Sequence, residues 1–158
     1  MVYLIYQMKE VHKVKQITNI RKAVCAMANQ LKKAGYSLSE AFKKAWRRVK
    51  LTMTIRAAGV TFENRQERLQ FLQQFKPEDL TVTLEREEDN QHDKNAIRIT
   101  VHILPIRKKT VIGYVPAGLA RELAKAIDAG AQVKAKLLQI IGGYSYKESL
   151  GALINITI

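Results

Sequence analysis

Residues 79–106 read DLTVTLEREEDNQHDKNAIRITVHILPI, and their pattern changes period within a few residues of either end. Leu80, Val82 and Leu84 alternate with Thr81, Thr83 and Glu85, as a strand with one wet face requires. Ile97, Ile99, Val101 and Ile103 repeat the device. Between the two runs stand Glu85, Glu87, Glu88, Asp89 and Asp93, five carboxylates in a chain of formal net charge +13. Asp89, Asn90 and Asp93 are suited to hydrogen-bond turn amides ahead of the second strand, with Asn95 capping the turn through its side chain.

Strand-like segments continue on both sides. LTMTIRAAGVTF (51–62) mixes β-branched residues with period-two alternation and reaches a bend at Gly59, where the backbone can kink or approach a ligand. NRQERLQFLQQF (64–75) predicts a short helix with Leu69, Leu72 and Phe75 on one face, Asn64 as its cap and Pro77 beyond its end. KKTVIGYV reads as a strand, PAGLARELAKAIDAG as a helix from Pro116 to Gly130, AQVKAKLLQIIGG as a strand and LGALINITI as a closing strand. Five or six short strands with two inserted helices and short connections predict an α+β domain built as a small OB-like β-barrel over residues 51–158. Gly142-Gly143 before Tyr144-Ser145-Tyr146 suits a hairpin bend or a lip over single-stranded nucleic acid.

Residues 1–50 differ in kind. ITNIRKAVCAMANQLKKAG places Ile20, Val24, Met27, Leu31 and Ala34 on one helical face, with Thr18 or Asn19 to cap it and Gly35 to end it. YSLSEAFKKAWRRVK has the capping-box spacing Ser37 to Glu40 and lines up Leu38, Phe42, Ala45, Trp46 and Val49. The expectation is a basic helical hairpin whose outer face carries Lys43, Lys44, Arg47 and Arg48. Residues 1–58 hold 13 Lys/Arg against two Glu, whereas residues 59–158 hold 14 against 12. Such asymmetry points to a polyanionic partner, most often nucleic acid. Little on the second helix besides arginine and lysine suits base-edge reading, so sequence-specific duplex recognition has no support.

Other classes are tested by spacing. One cysteine, Cys25, cannot close an internal disulfide, and His12, His92 and His102 lack ligand spacing, so an intracellular protein without structural zinc or other cofactor is expected. No window approaches the ~20 apolar residues of a membrane span, and a cytoplasmic, membrane-free protein is expected. An EF-hand begun at Asp89 would place Lys94 where glycine is needed and Thr100 at the twelfth position. No Walker loop occurs, so a helicase or nuclease activity would come from another chain. A metal-dependent nuclease using Asp79, Glu85 and Glu87 is one alternative, although Arg86 stands where its lysine belongs. A protein-interaction adaptor using the basic helices is another.

GVTFENRQERLQFL, LEREEDNQHDKNAIRI, VIGYVPAGLARELAKAID and GALINITI together resemble the HIRAN domain, over about residues 52–158. The resemblance rests on the ordered set Phe62, Arg86, Asn90, Asp93, Asn95-Ala96-Ile97 and Ile112-Gly113-Tyr114-Val115-Pro116, and is to stand-alone bacterial and phage members. It implies a modified OB-type barrel that binds single-stranded DNA without catalysis, with a pocket for the 3′ end. By that resemblance Phe62 is a base-stacking aromatic, His92 occupies a position often aromatic in the family, and Asp93 matches the family's aspartate. A groove of this kind also needs phosphate donors and a planar floor, for which Asn64, Arg65, Arg86, Asn90, Lys94, Tyr114 and Arg121 are candidates. Thr61, Glu63 and Ala117 depart from the family pattern, which carries an arginine, a second aromatic and a basic residue there.

Overall fold

A computed structural model describes residues 20–145 and 148–158. Thr18, Asn19, His12 and Tyr146 lie outside the described residues. Helices α1 (20–33) and α2 (Leu38–Arg48) precede strand β1 (Thr52–Arg56). There follow α3 (Arg65–Leu72), β2 (Leu80–Arg86), β3 (Ile97–Ile103), β4 (Lys108–Tyr114), α4 (Ala117–Asp128), β5 (Lys134–Ile141) and β6 (Gly151–Thr157). Among the described residues no helix is long and apolar enough to cross a membrane.

Local chemistry accounts for the element ends. The Ser37 hydroxyl accepts from the Glu40 amide while the Glu40 carboxylate accepts from the Ser37 amide, the reciprocal capping box that the spacing predicts. After α1, the Tyr36 amide reaches the Leu31 carbonyl and the Gly35 amide reaches Lys32, a Schellman closure. Asn64 does sit at the start of α3, but its side chain makes no cap hydrogen bond.

The six strands form one antiparallel sheet in the order β1-β6-β5-β2-β3-β4. β2 and β3 pair without slippage from Leu80↔Ile103 to Arg86↔Ile97, so the acidic stretch becomes the loop of a β-hairpin. The two edge strands meet at a single point. Just past β1, the Ala58 amide donates to the Tyr114 carbonyl at 2.8 Å and the Tyr114 amide returns to Ala58 at 2.9 Å. The α+β class with six strands and helices α3 and α4 inserted between them matches the expectation. The closure is narrower than a continuous barrel ladder, being one bridge.

Gly113 makes that bridge possible. A Cβ there would lie 2.5 Å from the Ala58 carbonyl oxygen, closer than real contacts allow. The core lies beneath the sheet, where Met53, Ile55, Ile97, Ile99, Val101, Ile112, Ile154 and Ile156 are buried. It runs on without a break into the helices, through Ile20, Val24 and Ala28 of α1, Ala41 and Ala45 of α2, and Leu119, Leu123 and Ala126 of α4. Ala34 and Leu38, expected on the apolar faces, are exposed; Ala28 and Ala41 take the buried positions. Trp46 packs half-buried against this core, with the Lys125 ammonium 5.8 Å from its ring centre.

Candidate nucleic-acid interface

The bridge that joins the sheet edges also builds a pocket. Beyond Ala58 the chain turns at Gly59 (φ +67°), where a Cβ would press on the Arg65 guanidinium at 3.1 Å. It then presents Phe62 outward before α3 begins. Glu63 holds a left-handed conformation, φ 53°, uncommon for a residue with a side chain and concentrated where a turn is held by its surroundings. Opposite this turn stands the β2–β3 loop. A cavity of about 580 Å³ opens between them, within the ~300–1,000 Å³ range of small-ligand sites.

Six of the sequence-nominated residues converge on that cavity: Phe62, Arg65, Asn90, His92, Asp93 and Tyr114. Phe62 is 67% exposed, so its ring belongs to the cavity mouth and not to the core. Arg65 is 94% buried. It donates to the Gly59 carbonyl at 2.8 Å and to Glu63 at 3.1 Å, and its guanidinium stacks 5.1 Å from the centre of the Tyr114 ring. Its Nε is buried without a partner among the described residues. Planar groups thus line the cavity at Phe62 and along the Arg65–Tyr114 stack.

The acidic loop is held by its own side chains. Asn90 Oδ1 accepts from the amides of His92 and Asp93 at 2.9 and 3.0 Å, and its amide group donates to Glu87 at 3.0 Å. Asp93 Oδ1 accepts from the Asn95 amide at 2.8 Å. The expected turn chemistry of Asn90 and Asp93 is therefore present, while the Asn95 side chain adds no bond of its own among the described residues. Asp93 Oδ2 has no hydrogen-bond partner among the described residues. Hydrogen bonds from Asn90 and then from Tyr114 hold Glu87 below the usual carboxylate range. Burial, reinforced by Glu87, pushes the Tyr114 phenol up.

The other nominated residues fall elsewhere. Arg86 turns away from the cavity to bind Asp128 at 3.1 Å and the Lys94 carbonyl at 3.0 Å, bracing the loop against α4. Lys94 contributes that carbonyl and leaves its side chain exposed. Asn64 lines a separate cleft with Arg68 and Lys108. Arg121 belongs to an adjoining cavity of about 490 Å³ that shares His92, Asp93 and Ala117 with the first and adds Arg21. Lys43 lies exposed on α2, Lys44 sits 4.6 Å over the Tyr36 ring, and Arg47 and Arg48 line a cleft beside the start of β1. The carboxylates considered for metal chemistry are dispersed: Glu85 and Glu87 face Arg98 at 2.9 and 3.6 Å, and Asp79 ends the short turn before β2. Among the described residues no three His, Cys, Asp or Glu gather where they could hold a metal ion.

Arg98 was missed from sequence, although its signal exists. Once the hairpin register is known, Arg98 falls opposite Glu85, a cross-strand pair of opposite charge. Gln66 was missed too. It ties the turn after β1 to the approach of β6 through the Val60 carbonyl and both backbone groups of Leu150, and nothing local marks it.

The model of the HIRAN domain family matches residues 50–146. A crystal structure of a protein from Lactobacillus plantarum, a structural genomics target, is similar at 19% identity and a TM-score of 0.45, covering 69% of this chain and 96% of that one. No curated protein matches the chain.

Proposed function

Because this chain belongs to the HIRAN domain family, a family of nucleic-acid-binding modules, we propose that the cavity between the Gly59–Glu63 turn and the Asn90–Asp93 loop binds single-stranded DNA at its 3′ end. The observation that carries the reading is Phe62, an aromatic ring 67% exposed at the mouth of a cavity lined with planar and hydrogen-bonding groups. A ring at the mouth of a cavity offers a stacking platform, and every nucleobase has a π-face.

The roles follow from the geometry. A terminal base stacks on Phe62, with the Arg65–Tyr114 stack as a second planar wall. Asp93 keeps one carboxylate oxygen for the terminal hydroxyl, which can donate to it, and it repels a continuing phosphodiester, which cannot. Asn90 and Glu87 hold the loop that carries Asp93. The strand leaves through the adjoining cavity, where Arg121 and Arg21 meet its first phosphates and His92 lies between the two chambers. No step of this reading is catalytic, and strand separation or cleavage belongs to another protein.

The test is fluorescence anisotropy of a labelled single strand. Phe62→Ala is expected to weaken binding by about 1–3 kcal/mol, the usual contribution of one stacked base, or roughly five- to 150-fold. Its melting temperature should stay at the wild-type value because the ring is exposed. Unchanged affinity would remove Phe62 from the interface. The oligonucleotide should also remain intact through incubation with Mg²⁺; its degradation, halted by a chelator, would favour the nuclease alternative.

A further inference from the structure

A second cleft lies at the other end of α4. It is larger, about 1070 Å³, and is walled by the end of α2, the link into β1 and the α4–β5 loop. Among the described residues its charged side chains are Arg47, Arg48, Lys50 and Lys134, and no aspartate or glutamate lines it. None of the four forms an ion pair among the described residues, whereas Arg65 in the capture pocket is paired with Glu63. Four cations around one concavity, without an ion-pair partner among the described residues, repel one another and concentrate counter-anions there. Arg47 is fixed in place by its Nε, which donates to the Ala129 carbonyl at 2.9 Å. That bond leaves the outer guanidinium nitrogens free to grip an anion with an already oriented fork.

We propose that this cleft is a phosphodiester track for the internal part of the same strand, an inference that rests on the end-capture reading. The spacing supports a shared ligand. α4 has 12 residues, so its ends are about 18 Å apart. Its first residues, Ala117 and Gly118, line the chamber beside Asp93, and Gly130, just past its end, lines the basic cleft. At ~3.4 Å per stacked nucleotide, a strand held by its end meets the cleft roughly five phosphates further on. The track also gives the N-terminal helices a function, since Arg47 and Arg48 meet Lys134 of β5 only when α2 is packed on the domain. The lining offers donors, with Gln132 and Thr52 beside the cations, and an aliphatic floor at Val49 and Leu51. Phosphate oxygens along a flexible backbone complement that surface.

Oligonucleotide length separates the two sites. With identical 3′ ends, a tetranucleotide fills the pocket alone and a 20-mer reaches the cleft. The double variant Arg48→Glu/Lys50→Glu, and separately Lys134→Glu on the opposite wall, should weaken the 20-mer at least tenfold at low salt. The slope of log K against log salt should fall by about 0.7 per lost contact on a single strand. The tetranucleotide should bind all variants as it binds wild type, and Lys76→Glu, the same charge change as Lys134→Glu but away from the cleft, should leave the 20-mer affinity close to wild type. Equal losses for both lengths, or an equal loss in the Lys76 variant, would reduce the effect to general charge and overturn the track. An unaffected 20-mer would overturn it while leaving end capture intact. If the cleft variants weaken the 20-mer but no 3′-end preference exists, the track stands and the end-capture reading fails. Competition by a polyglutamate peptide as effective as an oligonucleotide of equal charge would overturn the assignment to phosphodiester.

Discussion

At the scale of single residues, the proposed end capture asks two functions of the acidic loop, from different atoms. Asn90 and Oδ1 of Asp93 build the turn, and Asp93 also lines the cavity. The turn was legible in the order of residues, because Asn and Asp two or three positions before free amides are turn formers wherever they occur, whereas the proposed end-capture role came from the family resemblance. The exposure of Phe62 was not legible, since a lone aromatic after a strand is ordinarily core, and only the Gly59 turn throws it outward. Glu87 supplies a pH signature. Its folded-state pKa is depressed, first by Asn90 and then by Tyr114, so its contribution is complete above the unfolded value of about 4.3 and is lost as pH falls through the lowered folded value. Glu87→Gln should therefore be less stable than wild type at neutral pH, and the gap in denaturant midpoint should close on acidification. A gap constant with pH would show that the carboxylate's charge is irrelevant to the loop.

Elements show where pattern reading stops. Period-two alternation located the strands, yet it says nothing of which strands are neighbours, so the pairing of β1 with β6, a hundred residues apart, and the Ala58–Tyr114 bridge were invisible. Gly113 was noticed as part of a motif, and its reason emerges only from the 2.5 Å approach of Ala58. Gly113→Ala should destabilise the fold by about 1–3 kcal/mol, as overpacking does, and loosen the pocket whose wall the bridge forms. Urea denaturation would check it, and an unshifted midpoint would mean that the bridge yields at no cost. The contact between α1 and α4 makes a further test. Glu122 is 1% exposed; burial alone would raise its pKa, but Arg21 at 2.6 Å and Lys125 at 3.4 Å outweigh it and hold it low. Removing Arg21 leaves a buried carboxylate with one partner, whereas Glu122→Gln leaves solvated cations. Arg21→Ala should lower the melting temperature more than Glu122→Gln does, and the reverse order would contradict the burial argument.

For the whole molecule, the charge asymmetry read from sequence acquires a shape. The expected boundary at residue 50 separates compositions, while one hydrophobic cluster spans both sides of it, so the basic helices form one wall of a cleft completed by β5. Composition points to a polyanionic partner, but the proposed placement of affinity and discrimination at opposite ends of α4 rests on tertiary packing that composition does not encode. The division is the centre of the account: cations hold the strand, and a carboxylate inspects its end. It is tested most directly by the ratio of dissociation constants for two oligonucleotides identical except for a 3′-hydroxyl or a 3′-phosphate, measured on wild type and on Asp93→Asn. Asparagine retains the Oδ1 acceptor for the Asn95 amide, so the loop should survive the change. The account predicts that wild type prefers the hydroxyl end by about tenfold, equivalent to 1.4 kcal/mol, and that the preference shrinks toward unity in the variant. Equal affinity of wild type for the two ends would contradict it.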